Sequence, residues 1–359
     1  MKIAKSVQKL EAYTPGEQPK SKKVVKLNTN ENPYPPSPTC EKVLAHFDLE
    51  KLRKYPDPNF TVLREALAKL NKTTIENIFV GNGSDEVLSV AARAFVEDNE
   101  AIGSLDPSYS LYKTLAAIRT VKWAGVDVRQ RNKDISTQVA QLKEKVSLFL
   151  WTNPNAPTGE LAEPAEIAAF AAKFPGVVII DEAYADFARV NCMNLATAAG
   201  NTNVLVMRTF SKSYSLAGLR VGYCVGPKDL IEAMYKVKDS YNVDAVAQAV
   251  ALAAIKDQAW MRRNVEKVIR TRARLTSELT RRGWDVLPSE SNFLFAQPPT
   301  KGDVQAEAAR IFNALRDRSI FVRYFPGKKT GSRLRITVGT DAQVRKLLST
   351  LDEISNAAK

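Results

Sequence analysis

Two short runs, Val177-Val178-Ile179-Ile180 and Val204-Leu205-Val206-Met207, are apolar at every position and stop abruptly at Asp181 and Arg208. A strand with one wet face alternates between apolar and polar residues; one that is apolar throughout reads as a parallel strand buried on both faces. Ile78-Phe79-Val80, Ala101-Ile102-Gly103-Ser104-Leu105 and Leu148-Phe149-Leu150-Trp151 read as further strands, and strand–helix alternation continues to about residue 245. Ligands in open sheets of this kind sit beyond the carboxyl ends of the strands. The polar residues that follow each apolar run are therefore the first place to look for chemistry.

Composition narrows the classes. A chain of 359 residues is too long for one small core, so two domains are expected. No run approaches a membrane span, and Met1 to Leu10 has lysines without an apolar core, unlike a signal peptide. Cys40, Cys192 and Cys224 are far apart, which argues against disulfide or metal frameworks and suits reduced thiols in a cytoplasm. A single histidine, His46, leaves histidine-based triads and zinc sites without ligands, and no metal is expected. The net charge of +13 comes from scattered cations with no nucleic-acid motif beside them, so it reads as solvated helix faces and attraction for small anions.

Past the second apolar run stands Arg208-Thr209-Phe210-Ser211-Lys212-Ser213-Tyr214-Ser215-Leu216-Ala217-Gly218-Leu219-Arg220. A hydroxyl (Ser211) and an arginine (Arg220) converging on one spot suit a phosphate. A lysine beside them can bond covalently to a carbonyl cofactor. On chemistry alone the same residues make a solvated loop with a serine cap. Elsewhere, Gly81-Asn82-Gly83-Ser84-Asp85-Glu86 reads as a glycine turn opening a helix with Ser84 as its N-cap; its free N–H groups could hold an anion or simply be capped. Asp181 at a strand end could pair with a protonated ring nitrogen or cap a helix. Arg323 and Arg335 interrupt apolar strands near the C-terminus, which marks either an edge or a binding site.

The string 208–223 resembles the lysine motif of the class I and II aminotransferases, pyridoxal-phosphate enzymes of fold type I, and most closely the histidinol-phosphate aminotransferase group. Matching motifs stand at 28–38, 55–57, 81–86, 153–159, 181–184 and 320–339. The resemblance implies an α/β fold: a large, mostly parallel seven-stranded-type sheet with helices on both faces, spanning residues 31–245. It also implies an N-terminal arm, 1–30, against the small domain and substrate pocket, and a smaller α/β domain at 246–359.

The resemblance further implies transfer of an amine from histidinol phosphate to 2-oxoglutarate in histidine biosynthesis. An aromatic amino-acid aminotransferase and a phospho-amino-acid decarboxylase are the enzymatic alternatives; a basic nucleic-acid-binding or regulatory protein that keeps the fold without turnover is the alternative of another class. Lys212 would hold pyridoxal 5'-phosphate and move protons. Asp181 would pair with the ring nitrogen, Tyr184 would bond the ring oxygen and Tyr109 would stack on the ring, whereas Tyr112, one helical turn further, reads as packing. Gly83, Ser84, Asp85, Ser211 and Arg220 would hold the phosphate, joined by Tyr55 from the partner chain of a homodimer. Tyr13, Asn30, Arg323 and Arg335 would hold the substrate, an amino donor or a 2-oxo acid. One departure matters: Ala156 stands where the group has the asparagine that bonds the ring oxygen, so either Asn155 supplies that amide through a shifted turn, which is the expectation, or the contact is lost.

Overall fold

The computed structural model describes residues 2–3, 5–8, 10, 16–21, 24–128 and 135–357, so Tyr13 lies outside the described residues. Strand β1 (Val25–Lys26) belongs to a two-stranded pair completed near the other end of the chain. The large sheet holds β2 (Ile78–Gly81), β3 (Ala101–Asp106), β4 (Lys122–Asp127), β5 (Val146–Thr152), β6 (Val177–Asp181), β7 (Val204–Thr209) and β8 (Gly222–Val225). Its order is β2-β8-β7-β6-β5-β3-β4, and only β8 runs antiparallel to its neighbours. The expected α/β class with a mostly parallel seven-stranded sheet is the observed one.

Alternation along each strand explains the unbroken apolar runs. Val178, Ile180, Val204, Val206, Phe149 and Trp151 point into one core; Ile179, Leu205, Met207, Leu148 and Leu150 point into the other. Each fully buried side chain of this kind stabilises by roughly 1.5–3 kcal/mol, so neither face tolerates a polar residue cheaply. Helices cover both faces. Thr61–Leu70, Pro164–Lys173 and Ala245–Lys256 fill the first core through Leu67, Phe170 and Val250. Ser84–Phe95, Leu111–Ile118 and Lys228–Val237 fill the second through Val87, Leu115 and Met234.

The C-terminal unit is a four-stranded antiparallel sheet built from β9 (Asp285–Val286), β10 (Phe293–Gln297), β12 (Arg323–Tyr324) and β13 (Leu334–Thr337), in the order β12-β13-β10-β9. Strand β11 (Ile320–Phe321) pairs in parallel with β1, and Leu27 joins the small core beside Leu294 and Ile336. Residues 25–27 of the N-terminal arm thus belong to the small unit. The helices Val304–Asp317 and Asp341–Asn356 start at Asp303 and at Thr340, the latter in a reciprocal capping box with Gln343.

The cores do not divide at residue 246. The buried residues of helix Ala245–Lys256 all lie in the large core. The next helix, Gln258–Arg281, gives Met261, Val265 and Val268 to the large core but Leu275 and Leu279 to the small one. The break between the two helices is Asp257, whose carboxylate accepts from the Trp260 N–H. Among the described residues no helix is long and apolar enough to cross a membrane.

Candidate active site

The carboxyl ends of β2, β3, β5, β6 and β7 open into one cavity of about 900 Å³, closed on the far side by the small sheet and the N-terminal arm. Of the residues singled out by sequence, Ser84, Asp85, Tyr109, Asp181, Tyr184, Ser211, Lys212, Arg220, Asn30, Arg323 and Arg335 line it. Gly83, Asn155 and Tyr55 do not.

Lys212 follows β7 in a turn whose backbone is held from outside: Asn32 Nδ2 donates to the carbonyls of Lys212 and Ser213, each at 3.2 Å. Beneath the turn lies a buried ion cluster. Arg208 reaches Glu182 at 2.6 Å and Asp186 at 2.9 Å, and Ser213 donates to Asp186. Burial works against the Arg208 charge, but the two carboxylates outweigh it and hold the guanidinium more firmly protonated than usual. The Lys212 amine is left reaching into the cavity, 3.3 Å from the Thr29 carbonyl and 5.7 Å from the centre of the Tyr184 ring.

Asp181 ends β6 and is 4% exposed. Burial pushes its carboxyl up to about 6, against the pull of hydrogen bonds from the Tyr112 hydroxyl at 2.8 Å and the Ala183 N–H at 3.1 Å. Tyr184, three residues on, accepts from Asn30 Nδ2 at 3.0 Å. Asn30 itself adopts φ 55°, and its backbone and side chain are both tied to Thr337 Oγ1 on β13. The arm therefore links the small sheet to the tyrosine beside Asp181.

The turn after β2 needs its glycine. Gly83 has φ 81° and ψ 165°, a region essentially closed to other residues. A Cβ there would also sit 2.5 Å from Arg220 Nη2. Gly83, not Ser84, is the N-cap; Ser84 is the first helical residue, and no side chain caps this helix. The first-turn N–H groups are consequently free of the cap that the sequence suggested. The acids behave differently from one another. Glu86 turns away to Asn82 N–H and Asn242, whereas Asp85 stays at the cavity wall, neutralised by Arg220 at 3.3 Å and bonded by the Tyr109 hydroxyl at 3.2 Å. Arg220 also donates to Ser211 Oγ at 3.4 Å.

Arg323 and Arg335 are cross-strand neighbours on β12 and β13. Arg335 donates to the Asn28 carbonyl at 2.8 Å, and both guanidinium groups lie over the Phe325 ring. Stacked arginines at a cavity wall present planar forks suited to carboxylate or phosphate.

Asn155 does not take the place of the missing asparagine. Its Nδ2 donates to the Pro107 carbonyl at 3.0 Å and to Thr158 Oγ1 at 3.1 Å, and its Oδ1 accepts from Ser108 at 2.9 Å. Both amide protons are used inside the turn, so none is left for the cavity, where Ala156 sits instead. Tyr55 is 80% exposed and stacks on Tyr241 with ring centres 4.4 Å apart, away from the cavity of its own chain. Sequence reasoning assigned Tyr112 to packing; its hydroxyl in fact holds Asp181. It also missed Asn32 and the loop Phe325–Thr330 that walls the cavity. A tyrosine one helical turn after Tyr109 was the only available signal for the first, and the second carried none.

The sequence profile of the family "Aminotransferase class I and II" matches residues 22–351. A histidinol-phosphate aminotransferase of Acetobacter pasteurianus is 42% identical over 352 residues, 97% of this chain and 96% of that protein. One from Microcystis aeruginosa is 40% identical over 97% of each chain. Among solved structures, the histidinol-phosphate aminotransferase of Sinorhizobium meliloti in complex with pyridoxal-5'-phosphate superimposes with a TM-score of 0.89 at 25% identity, covering 99% of this chain and 98% of that one.

Proposed function

The chain belongs to the class I and II aminotransferases, and from that premise we propose that it uses pyridoxal 5'-phosphate to move the amine of histidinol phosphate to 2-oxoglutarate. The observation that carries the reading is one cavity lined at once by the Lys212 amine, the buried Asp181 carboxylate and the paired arginines Arg323 and Arg335. The residues present suit the cofactor. Asp181 has one donor on each oxygen and further acceptor capacity, so a ring N–H can be received there. Ser84 and Asp85 supply backbone N–H groups at a helix start, the Gly83 N–H being held by the Gly81 carbonyl at 2.9 Å, with Arg220 and Ser211 opposite, a set suited to a phosphate.

When bound, the cofactor supplies an electron sink for the carbanion formed at the substrate's amine-bearing carbon. The chain's own residues do the rest. Lys212 would hold the cofactor through its amine when no substrate is present, and that amine, once free, would carry the proton to and from the substrate carbon. Asp181 keeps the ring nitrogen protonated. Tyr184, held by Asn30, donates to the ring oxygen without help from position 156. Arg335, assisted by Arg323, grips the phosphate of one substrate and the carboxylate of the other. Tyr13 is assigned to the same substrate group.

Two chains pair, with Tyr55 entering the partner's site. The support is the exposure of Tyr55, Leu49 and Leu52, at 80%, 73% and 54%, in one neighbourhood of sequence. Three free, buried cysteines suit a reducing cytoplasm.

The test is a direct one. Purified protein is assayed for glutamate formation with histidinol phosphate and, side by side, with phenylalanine. Preference for histidinol phosphate, with loss of turnover in Lys212→Ala, supports the assignment; preference for phenylalanine moves it to an aromatic aminotransferase. Turnover that survives in Lys212→Ala removes it.

A further inference from the structure

Between Asp181 and the turn at Asn155 runs a line of three hydroxyls. The Tyr112 oxygen lies 2.8 Å from Asp181 Oδ2 and 2.6 Å from Thr152 Oγ1. Thr152 Oγ1 lies 3.0 Å from Ser108 Oγ, which lies 2.9 Å from Asn155 Oδ1. The protons can be assigned by elimination. Asn155 Nδ2 donates to Pro107 O and Thr158 Oγ1, which fixes the amide and leaves Oδ1 to accept. A carboxylate only accepts, so the Tyr112 proton points at Asp181 and the Tyr112 oxygen takes the Thr152 proton. Thr152 can then give nothing to Ser108, whose single proton goes to Asn155 Oδ1, away from Asp181. From Thr152 onward each proton points toward the carboxylate, an arrangement in which successive hydrogen bonds polarise one another.

We infer that Thr152 and Tyr112 are positioning residues: a one-way hydroxyl relay, Thr152 to Tyr112 to Asp181, that fixes the Asp181 carboxylate and favours its ionised form where the cofactor's ring nitrogen is received. The inference rests on the reading of this cavity as a pyridoxal-phosphate site. The groups that act electrostatically on Asp181 do not supply a matched counter-charge of their own. Burial raises its pKa most, Asp85 raises it further, and Lys212 lowers it only weakly, after the bonds from Tyr112 and Ala183. Tyr112 stays a donor throughout, since burial holds its phenol well above the ordinary value.

The experiment uses the full chain freed of cofactor and titrated with pyridoxal 5'-phosphate by protein fluorescence, with the visible band of the loaded protein followed across pH. Tyr112→Phe removes a hydrogen bond to a charged group, so Kd should rise roughly tenfold to a hundredfold, and the pH midpoint of the band should move. Thr152→Val should show part of both effects and add nothing in the Tyr112→Phe background, because it acts only through Tyr112. Thr152→Ser should restore the parent values. If Tyr112→Phe does not fold, the Thr152→Val and Thr152→Ser pair decides the same question. Unchanged Kd and band in the folded variants, or strictly additive effects in the double variant, overturn the chain while parental loading keeps the site reading. A parent protein that takes up no pyridoxal phosphate overturns both.

Discussion

Lys329, on the loop between β12 and β13, places its amine 2.6 Å from Asp106 Oδ2 and 3.4 Å from Asp127 Oδ2, at the carboxyl ends of β3 and β4. The contact joins the small sheet to the large one across the mouth of the cavity. The three side chains are partly exposed, so the pair is worth about 1 kcal/mol. Lys329→Ala should therefore raise KM for both substrates about fivefold and change kcat less. The difference should shrink in high salt. Steady-state kinetics at two ionic strengths checks this; an effect on kcat alone would place Lys329 outside the closure of the site.

Gly83→Ala tests the phosphate cradle. The substitution puts a methyl group 2.5 Å from Arg220 Nη2 in a backbone region reserved for glycine. The strain is of order 1–3 kcal/mol, and Arg220 must move away from Ser211 and Asp85. Thermal melting should show the lower stability, and cofactor titration a Kd raised at least about tenfold, since a charge-assisted contact is lost. A variant that binds the cofactor normally would show that the phosphate is held elsewhere.

Asp181 makes the cofactor-free protein sensitive to pH with a defined sign. Its folded-state pKa is raised from 3.8 to about 6, so the folded chain holds this proton more tightly than the unfolded chain. Stability is then lost as pH rises between about 4 and about 6, by at most roughly 3 kcal/mol. Asp181→Asn removes that dependence. Denaturant melts of parent and variant should diverge in favour of the variant across this window and stay parallel above it. A difference that is flat in pH would show an unshifted carboxyl.

Asn30 joins three elements, so Asn30→Ala should act on both fold and site. The change strips hydrogen bonds from the Tyr184 hydroxyl and Thr337 Oγ1 in a buried setting. Each group left without a partner costs about 1–3 kcal/mol. The expected result is a lowered Tm together with a raised KM for both substrates. Loss of stability with unchanged KM would make the residue a strut only.

The strand ends were legible because burial on both faces forces an apolar run, and the polar residues that follow it gather where the cavity opens. Asp181, Lys212 and the glycine turn at 81–83 followed from that logic. Residue type alone could not say where a phenol or an amide spends its protons. Tyr112 looked like packing because its ring does pack, beside Leu115, while its hydroxyl serves Asp181. Asn155 looked like a substitute donor because it adjoins Ala156, yet Pro107 and Thr158 consume its N–H groups. Ser84 had the composition of a cap, but the positive φ of Gly83 moved the helix start forward by one residue. The division of the cores was hidden because one amphipathic period runs unbroken through helix Gln258–Arg281.

That shared helix carries the join between the lobes inside a regular element. Midway along it, buried Arg272 donates from one nitrogen to the carbonyls of Phe187, at 3.0 Å, and Ser291, at 2.8 Å, one from each lobe. The lobes are therefore not cassettes strung on a tether. A chimera that exchanged the C-terminal lobe at residue 246 would strip a whole helix from the wrong hydrophobic interior. A viable crossover has to fall within an uninterrupted α-helical rod, which leaves the guanidinium rivet bridging one carbonyl from each parent.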